Sequence, residues 1–172
     1  MRTLEQQNIY VDPIADEMIL FSDHSRFARY VKIYSEVLKK RGAEFLVAVF
    51  DNDGAPHDER LNRIKDSIKK YPNIQVVTAP GVAVEEVEAW LLADVVAVGK
   101  ILSISINEPP SPETIEDPKE YLDKIFASSP KLVKDLDLYS DIAGELNKNN
   151  LLTKCKSFKR FHDEILQIIC KK

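Results

Sequence analysis

The apolar positions along the chain change period several times, and each change marks an element. Phe27, Tyr30, Val31, Tyr34, Val37 and Leu38 recur at three- and four-residue spacing, which predicts an amphipathic helix over 24–41. Ser22, Asp23 and Ser25 offer N-cap chemistry, and Gly42 a C-cap. The unbroken run Phe45-Leu46-Val47-Ala48-Val49-Phe50 predicts a buried strand over 45–50. Leu61, Ile64, Ile68 and Tyr71 return to helical spacing and predict a helix over 57–71 that Pro72 stops. Residues 74–78 (Ile-Gln-Val-Val-Thr) predict a second strand, closed by Pro80-Gly81. Residues 83–98 predict a third helix, apolar almost all round and therefore expected to be buried on more than one side. Residues 18–21 (Met-Ile-Leu-Phe) form a further strand candidate, and Tyr10-Val11 a shorter one.

Strand and helix in alternation predict an α/β fold with a short, mainly parallel sheet flanked by helices and joined by right-handed crossovers. The pattern breaks at Asn107-Glu108-Pro109-Pro110-Ser111-Pro112, and beyond it all the periodicity is helical. The chain therefore divides into an α/β core over 1–106, a proline-rich linker over 107–116 and a helical C-terminal extension over 117–172, packed on the core. Asp117-Pro118 reads as N-cap and first residue of a helix reaching Ala127. Another helix is expected from Tyr139 to Asn147. A last one starts near Lys156, with Phe158, Phe161, Ile165, Ile168 and Ile169 along one face.

At 172 residues, one domain with a small appendage is the expectation. No apolar stretch approaches the roughly 20 residues a membrane span requires, and the first residues have no apolar signal region. A cytoplasmic protein without a membrane association is expected, with Cys155 and Cys170 as ordinary reduced thiols. A net charge of -4 means that the chain as a whole is not a polycation. Basic residues nevertheless gather on 24–41 (Arg26, Arg29, Lys32, Lys39, Lys40, Arg41) and again on 151–172. Each stretch is either a phosphate-facing patch or a solvated helix face.

Candidate chemistry begins where strand 45–50 ends. Asp51-Asn52-Asp53-Gly54 places two carboxylates at the C-terminal edge of a strand, the edge at which open α/β sheets bind ligands. Side chains two apart share a face in a strand, and with the chain turning at Gly54 both aspartates can address one ion. Hard carboxylate oxygens suit Mg²⁺ or Mn²⁺ together with a substrate phosphate. The same four residues are also good turn chemistry. Glu88 is the second candidate. On a continuous helix 83–98 its neighbours would be Val84, Leu91 and Leu92, and a buried, unpaired carboxylate there would cost several kcal/mol. A cation, a basic side chain or exposure must offset that cost, and Glu85 would share its face. Glu85 and Glu86, like Asp58 and Glu59, also suit helix N-termini. Arg60 is placed to meet a phosphate. His24, His57 and His162 show no mutual metal-ligand spacing, and Trp90 is a core candidate.

Val49-Phe50-Asp51-Asn52-Asp53-Gly54 resembles the first motif of haloacid-dehalogenase-type phosphatases, which would make Asp51 a phosphoryl-accepting nucleophile and Asp53 its acid/base. Ala55 stands where that family has Thr, and no acidic Gly-Asp motif follows residue 81.

A longer resemblance takes in the strand ending in Asp51-x-Asp53-Gly54, the helix with Arg60, the second strand and Val87-Glu88-Ala89-Trp90-Leu91-Leu92-Ala93-Asp94. With Asp117-Pro118-Lys119-Glu120-Tyr121 and Cys155-Lys156-Ser157-Phe158, it covers about residues 20–170 and resembles small TOPRIM-like proteins. The resemblance implies a TOPRIM-like fold and a Mg²⁺ or Mn²⁺ site for phosphodiester cleavage, with Asp51 and Asp53 as the aspartate pair. Glu88, backed by Glu85, would complete the site, and Arg26, Arg29, Lys32 and Arg60 would meet nucleic acid. It also implies kinship with nucleases that pair with ATPases in phage defence. The family's first-strand valine-glutamate-glycine run has no counterpart, and Glu17 is the sole glutamate near an early strand. That departure opens a rival expectation, a catalytically silent subunit that binds a partner such as an ATPase.

Overall fold

The computed structural model describes residues 24–51, 57–71, 77–84, 86–109, 111–130 and 136–169. The strand candidates at 10–11 and 18–21 lie outside them. Helix α1 spans His24–Lys40 and strand β1 spans Phe45–Asp51. Helix α2 covers His57–Lys69, and β2 covers Val77–Ala83. The two strands run parallel, paired from Phe45 with Val77 to Asp51 with Ala83. Among the described residues the sheet has these two strands.

Both crossover helices bury their apolar stripes on one side of this sheet. Val31 and Leu38 of α1 and Ile64 of α2 pack with Leu46, Phe50 and Val82. Alternation along a strand turns Leu46 and Phe50 to that core and Val47 and Val49 away from it. Val47 and Val49 are each 40% exposed, so β1 has one buried face and is not enclosed on both sides.

The second strand continues further along the chain than its sequence suggests, to Ala83. Pro80 and Gly81, expected to end a strand over 74–78, sit inside β2, opposite Ala48 and Val49. Two local facts permit this. Proline can occupy an edge strand, where its missing N–H breaks no ladder bond. Gly81 leaves room for the Phe161 ring, which a Cβ at that position would meet at 2.6 Å.

The expected helix 83–98 is also corrected. Residues up to Ala83 are strand, and the rest divides into α3 (Glu88–Leu91), a 3₁₀ turn (Leu92–Asp94) and α4 (Val95–Leu102). Asp94 makes the break. Its backbone leaves the helical region at φ -130° and ψ 71°. Its carboxylate accepts N–H bonds from Ala97 at 3.3 Å and from Asn147 at 2.8 Å. Asp94 thus caps α4 and anchors a segment 53 residues away, although only 5% of it is exposed.

Beyond α4 the chain is helical: α5 (Pro118–Ala127), α6 (Leu136–Glu145), α7 (Lys148–Lys154) and α8 (Lys156–Ile169). Asp117 caps α5 through a 2.6 Å bond from the Glu120 N–H, with Pro118 as its first residue. Leu91, Leu92, Val98 and Leu102 form a second core with Leu122, Leu138 and Ile142 of α5 and α6. The α8 helix lies along β2, where Phe161 covers Gly81. Ion pairs between Lys65 and Glu164 and between Asp58 and Arg160 tie it to α2.

Trp90 joins the two halves. Its ring stacks on Phe161 at 5.6 Å and meets Phe158 edge-on at 5.2 Å. Its Nε1–H donates to Ser157 Oγ at 2.8 Å, and that hydroxyl donates to Glu113. The Glu113 carboxylate also accepts the N–H groups of Lys156 and Ser157 at 2.8 and 2.9 Å. The proline-rich stretch therefore supplies the acidic group that suits the N-terminus of α8. The architecture is α/β, with a short parallel sheet flanked by helices and a helical C-terminal extension.

Candidate functional site

Parallel strands direct whatever follows them to one edge of the sheet. Asp51 is the last residue of β1 and is exposed. It is level with Ala83, so the chain leaving β2 passes beside it. There the Val87 N–H donates to Asp51 Oδ1 at 3.0 Å. That bond ties the end of the first strand to the turn that opens α3, whose first residue is Glu88.

Glu88 is therefore a first-turn residue, and the expectation that it lies inside a long helix with Val84 is corrected. Val84 follows the end of β2 and is not on its helix. Glu88 is half-buried, and its carboxyl is held above the ordinary value, first by burial and then by the charges of Glu86 and Asp51. A bond from its own backbone and the Lys119 ammonium act in the opposite direction. Glu86 and Asp51 are thus near enough to Glu88 to raise the cost of its charge.

The C-terminal helices enclose this acidic edge from the other side. Glu86 Oε2 accepts the Lys119 N–H at 2.8 Å, so Glu86 serves the first turn of α5, not the helix that follows it in sequence. Tyr139 of α6 lies near enough to Glu88 to feel its charge. Its ring is fixed edge-on against Phe126 at 5.8 Å. Burial, followed by the charge of Glu88, pushes the Tyr139 hydroxyl up to about 12, so it stays protonated. Neither Tyr139 nor Lys119 carries a signal in the sequence that marks it for this edge. Asp117-Pro118, which predicts where α5 starts, is the nearest hint for Lys119.

The remaining candidates divide. Asp53 and Glu85 lie outside the described residues. Arg60, in the first turns of α2, holds its guanidinium 4.5 Å from the centre of the Phe50 ring, next to Asp51. Lys32 sits over Tyr71 at 5.9 Å. Tyr71 follows the far end of α2, about 15 Å along the helix from Arg60, so Lys32 is not gathered at the Asp51 edge. Arg29 is exposed on α1, and of Arg26 only the backbone on the same helix is described.

Among the described residues, no group of three or more His, Cys, Asp or Glu side chains is placed to hold a metal ion. The donor chemistry available at the edge, carboxylate oxygen from Asp51 and Glu88, is the kind that Mg²⁺ and Mn²⁺ select. Cys155 is a buried free thiol whose pKa burial pushes up to about 12, which leaves it unreactive. No helix among the described residues is long and apolar enough to cross a membrane.

Fold and site together define an α/β protein with carboxylates clustered at the C-terminal edge of a short parallel sheet. The chain belongs to the family described as Domain of unknown function (DUF4276), whose model matches residues 1–166. No curated protein matches the chain, and no solved structure does.

Proposed function

We propose that this protein is a TOPRIM-like, divalent-cation-dependent phosphodiester-cleaving protein, a cytoplasmic nuclease that uses Mg²⁺ or Mn²⁺. The observation that carries the proposal is the Asp51–Val87 bond, which brings the carboxylate ending β1 beside the turn bearing Glu88. Asp51 and Glu88, joined by Asp53 and Glu85, would hold the cation. When bound, such a cation stabilises charge developing on a phosphate and acidifies a coordinated water. Arg60, over the Phe50 ring, would add positive charge, and Arg26 and Arg29 on α1 would steer the polyanion. Membership of a nucleic-acid-processing or phage-defence system follows from the same resemblance.

A second reading is favoured by a specific observation. Asp51 and Glu86 each already have a structural partner, the Val87 N–H and the Lys119 N–H respectively. A catalytically silent subunit that binds a partner such as an ATPase would need those contacts and nothing more.

One comparison separates the two readings. Wild type and Glu88→Gln are assayed for Mn²⁺-dependent cleavage of single- and double-stranded DNA and of RNA, and both are melted. The nuclease reading expects cleavage by wild type that falls by orders of magnitude in the variant, with little change in melting temperature. Absence of cleavage in wild type, with a marked loss of stability in the variant, supports the silent subunit.

A further inference from the structure

We propose that a second copy of this chain docks on the side of β1 turned away from β2, with the two β1 strands antiparallel about a two-fold axis at Ala48. The inference does not depend on the divalent-cation reading.

The surface comes first. Among the described residues, five large apolar side chains are markedly exposed: Ile33 at 43%, Val37 at 38%, Val47 and Val49 at 40% each, and Val96 at 77%. The first four gather on one flank, whereas scattered single exposures would need no explanation. Helix α1 packs over β1, and α2 packs over β2. Lys32, over Tyr71, marks the side of α1 turned to α2. At about 3.6 residues per turn, Val37 falls on the other side, with Tyr30 and Tyr34, above the outer edge of β1. Ile33 lies one turn before it. Val47 and Val49 point out of the opposite face of the sheet, level with Ala79 and Gly81 of β2. Phe161 of α8 covers Gly81, so α8 shields the β2 half of that face and leaves the β1 half open. Apolar surface therefore wraps the outer edge of β1 on both faces. Among the described residues, no third strand lies beside Val47, Ala48 and Val49. Edges that stay solvated are usually blunted by Lys, Pro or a bulge. Strand β1 holds neither Lys nor Pro, and its register with β2 is unbroken.

Two features select a second copy as the occupant. The first is self-complementarity. With the strand turned end for end about Ala48, Val47 of one copy meets Val49 of the other on the same face, twice over. Such an isologous contact closes as a dimer. The same axis sets the two α1 helices side by side, so their Ile33 and Val37 residues cover one another. The second feature is charge. Helix α1 ends in Lys39 and Lys40, followed by Arg41, with Glu44 the acid in the turn that leads into β1. Strand β1 ends at Asp51, which acts with Glu86 on Glu88. Antiparallel pairing sets the basic end of each copy beside the acidic end of the other. Parallel pairing would set like beside like.

Sedimentation equilibrium of the full chain, from micromolar to near-millimolar concentration, tests the inference. Wild type should approach twice the 19.6 kDa mass of one chain. Val47→Lys/Val49→Lys puts like charges opposite each other across the axis and should weaken the dimer about a hundredfold or more. Val47→Glu/Val49→Lys puts the introduced glutamate opposite the second copy's introduced lysine and should recover about tenfold of that loss. Val96→Lys, away from this flank, should leave the dimer intact. Wild type that sediments as a single chain overturns the inference, whatever the variants do. A dimer that survives Val47→Lys/Val49→Lys, or that both double variants weaken equally, overturns it too.

Discussion

Asp51 and Val87 are 36 residues apart in the chain, and the Val87 N–H donates to the Asp51 carboxylate at 3.0 Å. This bond closes the βαβ unit at the C-terminal edge of the sheet, the edge at which open α/β sheets generally bind ligands. It gives Asp51 a structural duty besides any duty to a cation, and the two can be separated by mutation. Asp51→Asn keeps an acceptor for Val87 and removes the charge, whereas Asp51→Ala removes both. Urea denaturation should show Asp51→Ala less stable by about 1 kcal/mol. Asp51→Asn should stay close to wild type. Equal losses in both variants would mean that the charge, not the bond to Val87, holds this edge.

Asp94 should matter more for stability than any acid at the edge. Its replacement by Ala leaves the Ala97 and Asn147 N–H groups without their acceptor in a buried setting. The expected cost is about 3 kcal/mol, combining a lost helix cap with an unsatisfied buried donor. Mn²⁺ binding by the folded protein should be unchanged. A loss below about 1 kcal/mol in urea titrations would show that water replaces the carboxylate.

These two aspartates also show what could be read from the chain. Asp51 was visible because an apolar run pointed straight at it, and the parallel pairing of β1 with β2 followed from the alternation of strand and helix. The periodicities of α1 and α2 were strong enough to place both helices almost to the residue. Asp94 was hidden in an apolar run that looks like one continuous helix. Its effect depends on Asn147, and no local pattern announces a partner 53 residues away. The continuation of β2 through Pro80-Gly81 has a similar cause. Pro80-Gly81 is ordinary turn chemistry until Phe161 arrives from α8 to fill the space over Gly81. Lys119 escaped notice because its N–H reaches Glu86 only once α5 has packed beside α3. Local periodicity and capping were therefore legible, and the groups completing the edge from the C-terminal helices were not.

Ser157 anchors the Trp90 indole and leads on to Glu113. Ser157→Ala should strand the buried Trp90 Nε1–H and destabilise the protein by about 2 kcal/mol. Because Trp90 is the sole tryptophan in the chain, its fluorescence reports directly on this joint. The variant's emission should shift when the α8 end loosens, before global unfolding in urea. Coincident transitions by fluorescence and circular dichroism, at the wild-type midpoint, would contradict this role.

The pH dependence of stability follows from Glu88. Its ordinary value of 4.5 applies to the unfolded chain, and burial with Glu86 and Asp51 raises the folded value above that. Between the two values the folded state binds more protons than the unfolded state, so stability falls as pH rises through the folded value. Glu88→Gln cannot ionise. Relative to that variant, wild type should lose unfolding free energy as pH rises from 4.5 toward neutrality, measured by urea midpoints at each pH. Saturating Mn²⁺ should reverse the trend, because bound cation stabilises the ionised carboxylate. Parallel pH profiles of wild type and variant would show that Glu88 ionises without cost.

The central claim is that Asp51 and Glu88 act on one divalent cation. Its most direct test is calorimetric titration of Mn²⁺ at neutral pH into wild type, Asp51→Asn, Glu88→Gln and the double variant. If both carboxylates face one ion, wild type binds a single Mn²⁺ per chain at this edge. Each single variant then loses at least tenfold in affinity, and the double variant loses less than the product of the single losses, because the two ligands share that ion. Undiminished binding in the double variant would contradict the account.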